Sequence, residues 1–237
     1  MASADNGSLL HKLIDTGQSE RPWFLGTRVD ESGAFLPEYG NTIVNHVVAG
    51  SRTEQALIEV RQRLMALPFA HHFAFTPISS LHMTVAQGVI DNRRKMDFWP
   101  SDTDLDTPVD DVTRLYLERL AGFDSRGAFS VTADGMTPLG LTLKGATPED
   151  ERVLRRWRDD LVPVFGYRQP GHDDYRFHIT FAYLIDWLPP EAVDIYEPAL
   201  AACLDHVRAE VPVLELDDMA FCRFDDMNHF EPLLVLR

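Results

Sequence analysis

The chain has 237 residues, 22 basic and 37 acidic, giving a formal net charge of −15, with 45% hydrophobic and 25% charged side chains. That length and composition suit a globular protein with a substantial core. The acidic balance excludes the broad basic surface needed to hold long RNA or DNA, yet leaves room for a small phosphorylated ligand in a locally basic pocket.

Only Cys203 and Cys222 are present, outside any C-x-x-C pair, which points to two reduced, buried thiols rather than a disulfide scaffold. The N-terminus lacks the basic stretch and apolar run of a signal peptide, and no apolar run reaches membrane-spanning length. A cytoplasmic protein without membrane association is expected.

Taken in order, residues 1–40 read as an N-terminal extension. It holds a short helix around Leu9–Ile14 and a hairpin from Thr27-Arg28-Val29 through Asp30-Glu31-Ser32-Gly33 to Ala34-Phe35-Leu36. Gly40-Asn41-Thr42 then leads into a strand over Ile43–Ala49. A helix follows from Thr53 to Leu67, capped by Ser51 or Thr53, with Ala56, Leu57, Val60, Leu64 and Leu67 on one face. Phe73–Ile78 and Leu81–Val89 read as extended. Residues 91–111 look like an insertion placed to cover a site beside the preceding strand. Asp102, Asp104 and Asp106 suggest a calcium loop, but Thr107 stands where such a loop needs Gly and Thr113 where it needs Glu, so a solvated acidic loop is expected. A helix over Val109–Ala121 and strands over Ala128–Ala133 and Leu139–Lys144 come next. Thr147-Pro148-Glu149-Asp150 is a helix start with cap, proline and acids in place. Its helix should run to Phe165 with Leu154, Trp157, Leu161 and Phe165 inward. A strand over Tyr175–Leu184, a helix from Pro189-Pro190 to Val207, and strands over Val213–Phe224 and Pro232–Leu236 complete the chain.

Two of these strands carry nearly the same motif: Leu81-His82-Met83-Thr84-Val85-Ala86 and Phe177-His178-Ile179-Thr180-Phe181-Ala182. Alternation puts His82, Thr84 and Ala86 on one face and Met83 and Val85 in a core, with the same division in the second copy. On this reading the small alanine leaves space for a ligand. The copies also share a setting, for His82 follows Gly50 by 32 positions and His178 follows Gly145 by 33, each across a strand–helix–strand unit (about residues 43–90 and 138–185). Such a duplication packs about a pseudo-two-fold axis, expected to set the motif strands facing each other across a central cleft. The fold class expected is therefore α+β, a single domain over residues 41–237 of two similar lobes with antiparallel sheets.

Two imidazoles flanking one phosphorus allow in-line displacement, one taking a proton and the other giving one. Hydroxyls two residues along can donate to the non-bridging oxygens. Arg176, two residues before His178, lies on the same face of an ideal strand, where it can fork onto phosphate or pair with a surface acid. Phe73 and Phe75 can stack on a base or belong to the core. His71, His72, His46, His172 and His229 have no motif around them.

Paired His-x-Thr motifs on a duplicated α+β scaffold resemble the two-histidine (2H) phosphoesterase superfamily. Its members include bacterial 2′-5′ RNA ligase-like proteins, plant cyclic phosphodiesterase and the eukaryotic enzyme that trims U6 small nuclear RNA. The resemblance covers roughly residues 40–237, and the Gly40-Asn41-Thr42 approach is similar to that of a bacterial and fungal branch. It implies His82 and His178 as catalytic, Thr84 and Thr180 as phosphate-binding, and no cofactor or metal. The expected activity is metal-independent phosphodiester hydrolysis on a nucleotide or short RNA end, with a 2′,3′-cyclic phosphate or a 2′-5′ linkage as candidate bonds, by a monomer. The alternatives are an RNA ligase or transesterase using the same site, and a nucleotide- or RNA-end-binding module with little turnover.

Overall fold

The computed structural model describes residues 9–17, 20–124 and 127–236. In chain order its elements are β1 (Gly40–His46), α1 (Arg52–Met65), β2 (Phe73–Phe75), β3 (His82–Ile90), α2 (Val109–Leu120), β4 (Val131–Thr137), β5 (Gly140–Gly145), α3 (Pro148–Phe165), β6 (Phe177–Thr180), β7 (Ala182–Leu184), α4 (Ala192–Glu210), β8 (Ala220–Phe224) and β9 (Glu231–Val235). Seven strands form one antiparallel sheet in the order β4-β5-β6-β3-β1-β8-β9, and β2 pairs with β7 separately. The fold is α+β.

The helices begin and end where their sequences dictate. Ser51 accepts a hydrogen bond from Glu54 N to start α1, which buries Ala56, Leu57, Val60 and Leu64. Thr147 and Asp150 form a reciprocal capping box around Pro148 at the head of α3, satisfying donors the helix cannot satisfy itself. Leu154, Trp157, Leu161 and Phe165 are all buried, and Gly166 ends the helix at φ 73°. Helices α2 and α3 pack on β1, β3 and β5, α4 packs on β4, and α1 packs on α4. The main core joins these helices to Ile43, Met83, Val85, Ile179 and Phe221. A smaller apolar cluster, with Val44, Cys222, Phe224 and Phe230, includes their alternate neighbours on the strands, as a two-residue period requires. Both cysteines are buried and free.

The duplication is visible as order within the sheet. Strands β5 and β6, with α3 between them, mirror β1 and β3 with α1, and the two motif strands meet at the centre. They are neighbours in one sheet, Met83 opposite Ile179, rather than strands facing one another across a gap. The expected strand over 175–184 breaks at Phe181 into β6 and β7, and only Ala220–Phe224 of the expected strand over 213–224 joins the sheet.

Segments outside the repeat are built into the same body. Leu10, Leu13 and Ile14 belong to the main core, and the hairpin near residue 30 is reduced to a single bridge, Val29 to Phe35. Asn41 shows why its neighbourhood tolerates little change. Its Oδ1 accepts from Val89 N and its Nδ2 donates to Thr113 Oγ1. A Cβ on Gly88 would fall 1.9 Å from that Oδ1. Residues 94–107 are tied down by contacts of their own. Trp99 is fully buried and donates to the Asp104 carbonyl, Arg94 donates to the carbonyls of Leu105 and Thr107, and Asp102 pairs with Arg119. No helix among the described residues is long and apolar enough to cross a membrane.

Candidate active site

The face of the sheet opposite the helices forms the floor of a cavity of about 250 Å³, just below the ~300–1,000 Å³ typical of small-molecule sites. His82, Thr84, His178 and Thr180 all line it. Continuing the antiparallel register from Met83 and Ile179 sets His82 opposite Thr180 and His178 opposite Thr84. The two imidazoles are thus diagonal neighbours, whose Cβ atoms stand about 7–8 Å apart in such a ladder. Each histidine has the other copy's hydroxyl across from it.

The imidazoles are held in the same way in both copies. His82 Nδ1 lies 2.7 Å from the Ser80 carbonyl and His178 Nδ1 lies 2.9 Å from the Arg176 carbonyl. A carbonyl only accepts, so in each ring Nδ1 carries the proton and Nε2 is left for a ligand. Ser80 is itself pinned, its hydroxyl donating to the Met227 carbonyl, and Phe230 packs against the His82 ring with centroids 4.1 Å apart.

Four threonines line the cavity, and they divide in two. Thr42 donates to the Ala86 carbonyl and Thr76 to the carbonyls around Phe181. Among the described residues, the hydroxyls of Thr84 and Thr180 have no hydrogen-bond partner, so both are available to an oxyanion.

Burial sets the electrostatics. It pushes His82 down to about 3, only partly offset by the Ser80 carbonyl, with His46 and His178 lowering it further. Burial also lowers His178, with the Arg176 carbonyl opposing and Arg28 adding to the effect. Both rings are therefore neutral near pH 7 without a ligand, and an arriving phosphate would raise both. His46, which carries no motif, sits directly opposite His82 on β1 with ring centroids 6.1 Å apart.

Strand alternation alone misplaces the third motif position. Ile43 pairs with Ala86 but Val44 pairs with Thr84, so Val85 is an extra residue in β3, and such a bulge switches which side chain faces each side. Gln87, not Ala86, then lines the cavity. In the second copy the break at Phe181 has the same effect: Tyr183 lines the cavity while Ala182 is buried in the core. Both alanines are packing residues rather than clearance for a ligand.

Arg176 precedes the first residue of β6, is exposed, and is not among the cavity-lining residues. The cations come from elsewhere. Arg28, in the N-terminal segment, bonds Glu38 at 2.8 Å in a largely buried pair and lies over the Phe24 ring. Arg93 comes from the turn after β3. Neither stands in a recognisable pattern, so the sequence carries no local signal for them. Phe73 belongs to the core, and the aromatic walls are instead Phe24, Tyr175, Tyr183 and Phe230. Tyr175 donates to the Thr84 carbonyl beneath the Arg158 guanidinium.

Comparison with known proteins agrees with this fold. The family model named 2H-phosphodiest, described as a domain of unknown function (DUF1868), matches residues 28–142, a span that includes Arg28, His82, Thr84 and Arg93. The crystal structure of a conserved protein of unknown function, ATU0111 from Agrobacterium tumefaciens str. C58, is 45% identical over 95% of this chain and 97% of its own, with a TM-score of 0.94. The chain belongs to the 2H phosphoesterase family. No protein of curated function matches it. Among 2H features, the second histidine and threonine lie beyond the matched span, and the structure brings them beside the first pair. The acidic and imidazole side chains close enough together to hold a metal, among the described residues, are Asp159, His172 and Asp173. All three lie outside the cavity lining, and Arg168 bridges the two acids, which opposes a cation there.

Proposed function

We propose that the protein is a metal-independent phosphodiesterase acting on a nucleotide or short RNA end. The observation that carries this reading is the pair of imidazoles, each with Nδ1–H tied to a carbonyl two residues back and Nε2 left toward one cavity. One imidazole takes a proton at Nε2 from the attacking water or hydroxyl, and the other, its proton affinity raised by the bound phosphate, donates from Nε2 to the leaving oxygen. The oxygens attack and leave on opposite sides of the phosphorus, as the diagonal placement allows. The hydroxyls of Thr84 and Thr180 donate to the two non-bridging oxygens as charge gathers there.

A cavity of about 250 Å³ on a chain of net charge −15 favours a single nucleotide or an RNA end over a duplex. The candidate bonds are a 2′,3′-cyclic phosphate and a 2′-5′ linkage. Turnover in EDTA of 2′,3′-cyclic nucleotides and of short 2′-5′ and 3′-5′ linked RNAs, with the product isomer identified, tests the reading. A single regioisomer is expected from the fixed acid and base. Nucleotide binding without any turnover would instead mark a binding module.

A further inference from the structure

Arg93 differs from every other polar group of the cavity. Its Nη1 donates to Gln87 Oε1 at 2.9 Å, and its guanidinium lies 4.2 Å from the centroid of the Phe98 ring. Its Nε and Nη2 are buried and have no hydrogen-bond partner. Buried donors without partners are rare and call for a specific cause. Arg61 and Arg158 each leave one nitrogen unpaired, whereas Arg93 leaves two among the described residues. Those two N–H groups form one edge of the guanidinium, the edge that meets phosphate or carboxylate with two parallel bonds.

Local charge favours an anion there. Glu38, the acid nearest Arg93, is matched by Arg28 and accepts from Asn92 Nδ2 through its second oxygen, and the Arg93 Nε and Nη2 bond neither oxygen. Position separates this edge from the catalytic pair. His178 lies opposite Thr84, and Gln87, which holds the Arg93 guanidinium, lies three residues further with Val85 bulged out, about two strand steps or ~7 Å along the sheet. That is too far to share the oxygens held by Thr84 and Thr180, and within the reach of one nucleoside.

We propose that Arg93 binds a second phosphate of the substrate, so that the preferred substrates are nucleotides carrying a phosphate besides the phosphodiester cleaved by His82 and His178. The proposal rests on the phosphodiesterase reading above. The fork is buried, so a phosphate reaches it only when the side chains over it move. A carboxylate would satisfy the same edge, but the site's other groups are those of a phosphoester enzyme.

The test is calorimetric binding of adenosine 3′,5′-bisphosphate and adenosine 3′-monophosphate to the full chain, as wild type, Arg93→Gln, Arg93→Lys and His82→Ala. Thermal unfolding of each variant reports its fold. The wild type is expected to prefer the bisphosphate by roughly 10- to 100-fold, the effect of two charge-assisted bonds. Arg93→Gln should bring that ratio to about one while leaving monophosphate affinity unchanged. Arg93→Lys should retain part of it, and His82→Ala all of it. Equal loss of both ligands in the Arg93 variants would overturn the proposal, because Arg93 would then hold the reacting phosphate or the fold. So would tight monophosphate binding with no preference in the wild type, which leaves the phosphodiesterase reading standing. Failure of both ligands to bind at all would overturn both.

Discussion

Replacing His82 by Asn should make the protein more resistant to mild acid, and the size of the effect follows from the site. In the folded chain burial holds His82 at about 3, whereas in the unfolded chain an imidazole titrates near its ordinary ~6.5. Between those values the unfolded state binds more protons, so stability is fully present above the unfolded value and falls as the pH drops below it. At pH 5 the loss depends only on the distance from ~6.5, for any folded value well below 5. One and a half pH units at about 1.4 kcal/mol each give about 2 kcal/mol. His46, His172 and His178 are also lowered by burial and contribute with the same sign in both proteins, so they largely cancel in the comparison. Urea unfolding at pH 7.5 and pH 5, with a common slope, measures the difference. The wild type should lose about 1–2 kcal/mol more than His82→Asn across that interval. Parallel losses would refute a His82 ring that its surroundings hold neutral.

Other consequences are independent of that one. Thr84→Val and Thr180→Val should each lower kcat by about 10- to 100-fold with little change in KM, since each removes a donor that matters most as charge develops; an unchanged kcat in steady-state assays would dismiss the oxyanion role. Arg28→Ala should destabilise the fold by about 3–5 kcal/mol because it strands the buried Glu38 carboxylate, and Arg28→Ala with Glu38→Gln should recover part of that in denaturant unfolding. Gly140→Ala should disrupt the sheet beside β6, since a Cβ there would lie 2.1 Å from the Ile179 carbonyl and the backbone sits at φ 152°. Amide exchange of Thr180 and residual activity would report it, and a fully active, fully protected variant would contradict the close approach.

Local patterns were legible in the sequence to the extent that their causes were local. The Thr147 capping box and the Leu154, Trp157, Leu161, Phe165 stripe define α3 within a residue. The apolar partners Met83, Val85, Ile179 and Phe181 of the motifs are all fully buried, as strand alternation requires. What escaped depends on contacts between distant segments. The register of β3 against β6, Met83 opposite Ile179, which sets each histidine across from the other copy's hydroxyl, is encoded by no single strand. The bulge at Val85 and the break at Phe181 carry no composition signal, yet they move Ala86 and Ala182 into the core and put Gln87 and Tyr183 on the cavity. Arg28 and Arg93 arrive from irregular segments, and only the folded chain brings them to the motif strands. Arg176 stayed out because alternation was extended one residue beyond where the strand begins.

The most direct test of the paired-histidine account is the rate of phosphodiester cleavage in EDTA by the wild type, His82→Ala and His178→Ala, each checked for folding by thermal unfolding. Each single variant should lose about 10²- to 10⁴-fold in kcat while still binding nucleotide, and the double variant should lose little more than the worse single, because the two rings act in one step. Full activity in either folded variant would contradict the account, as would wild-type cleavage that stops when EDTA is present.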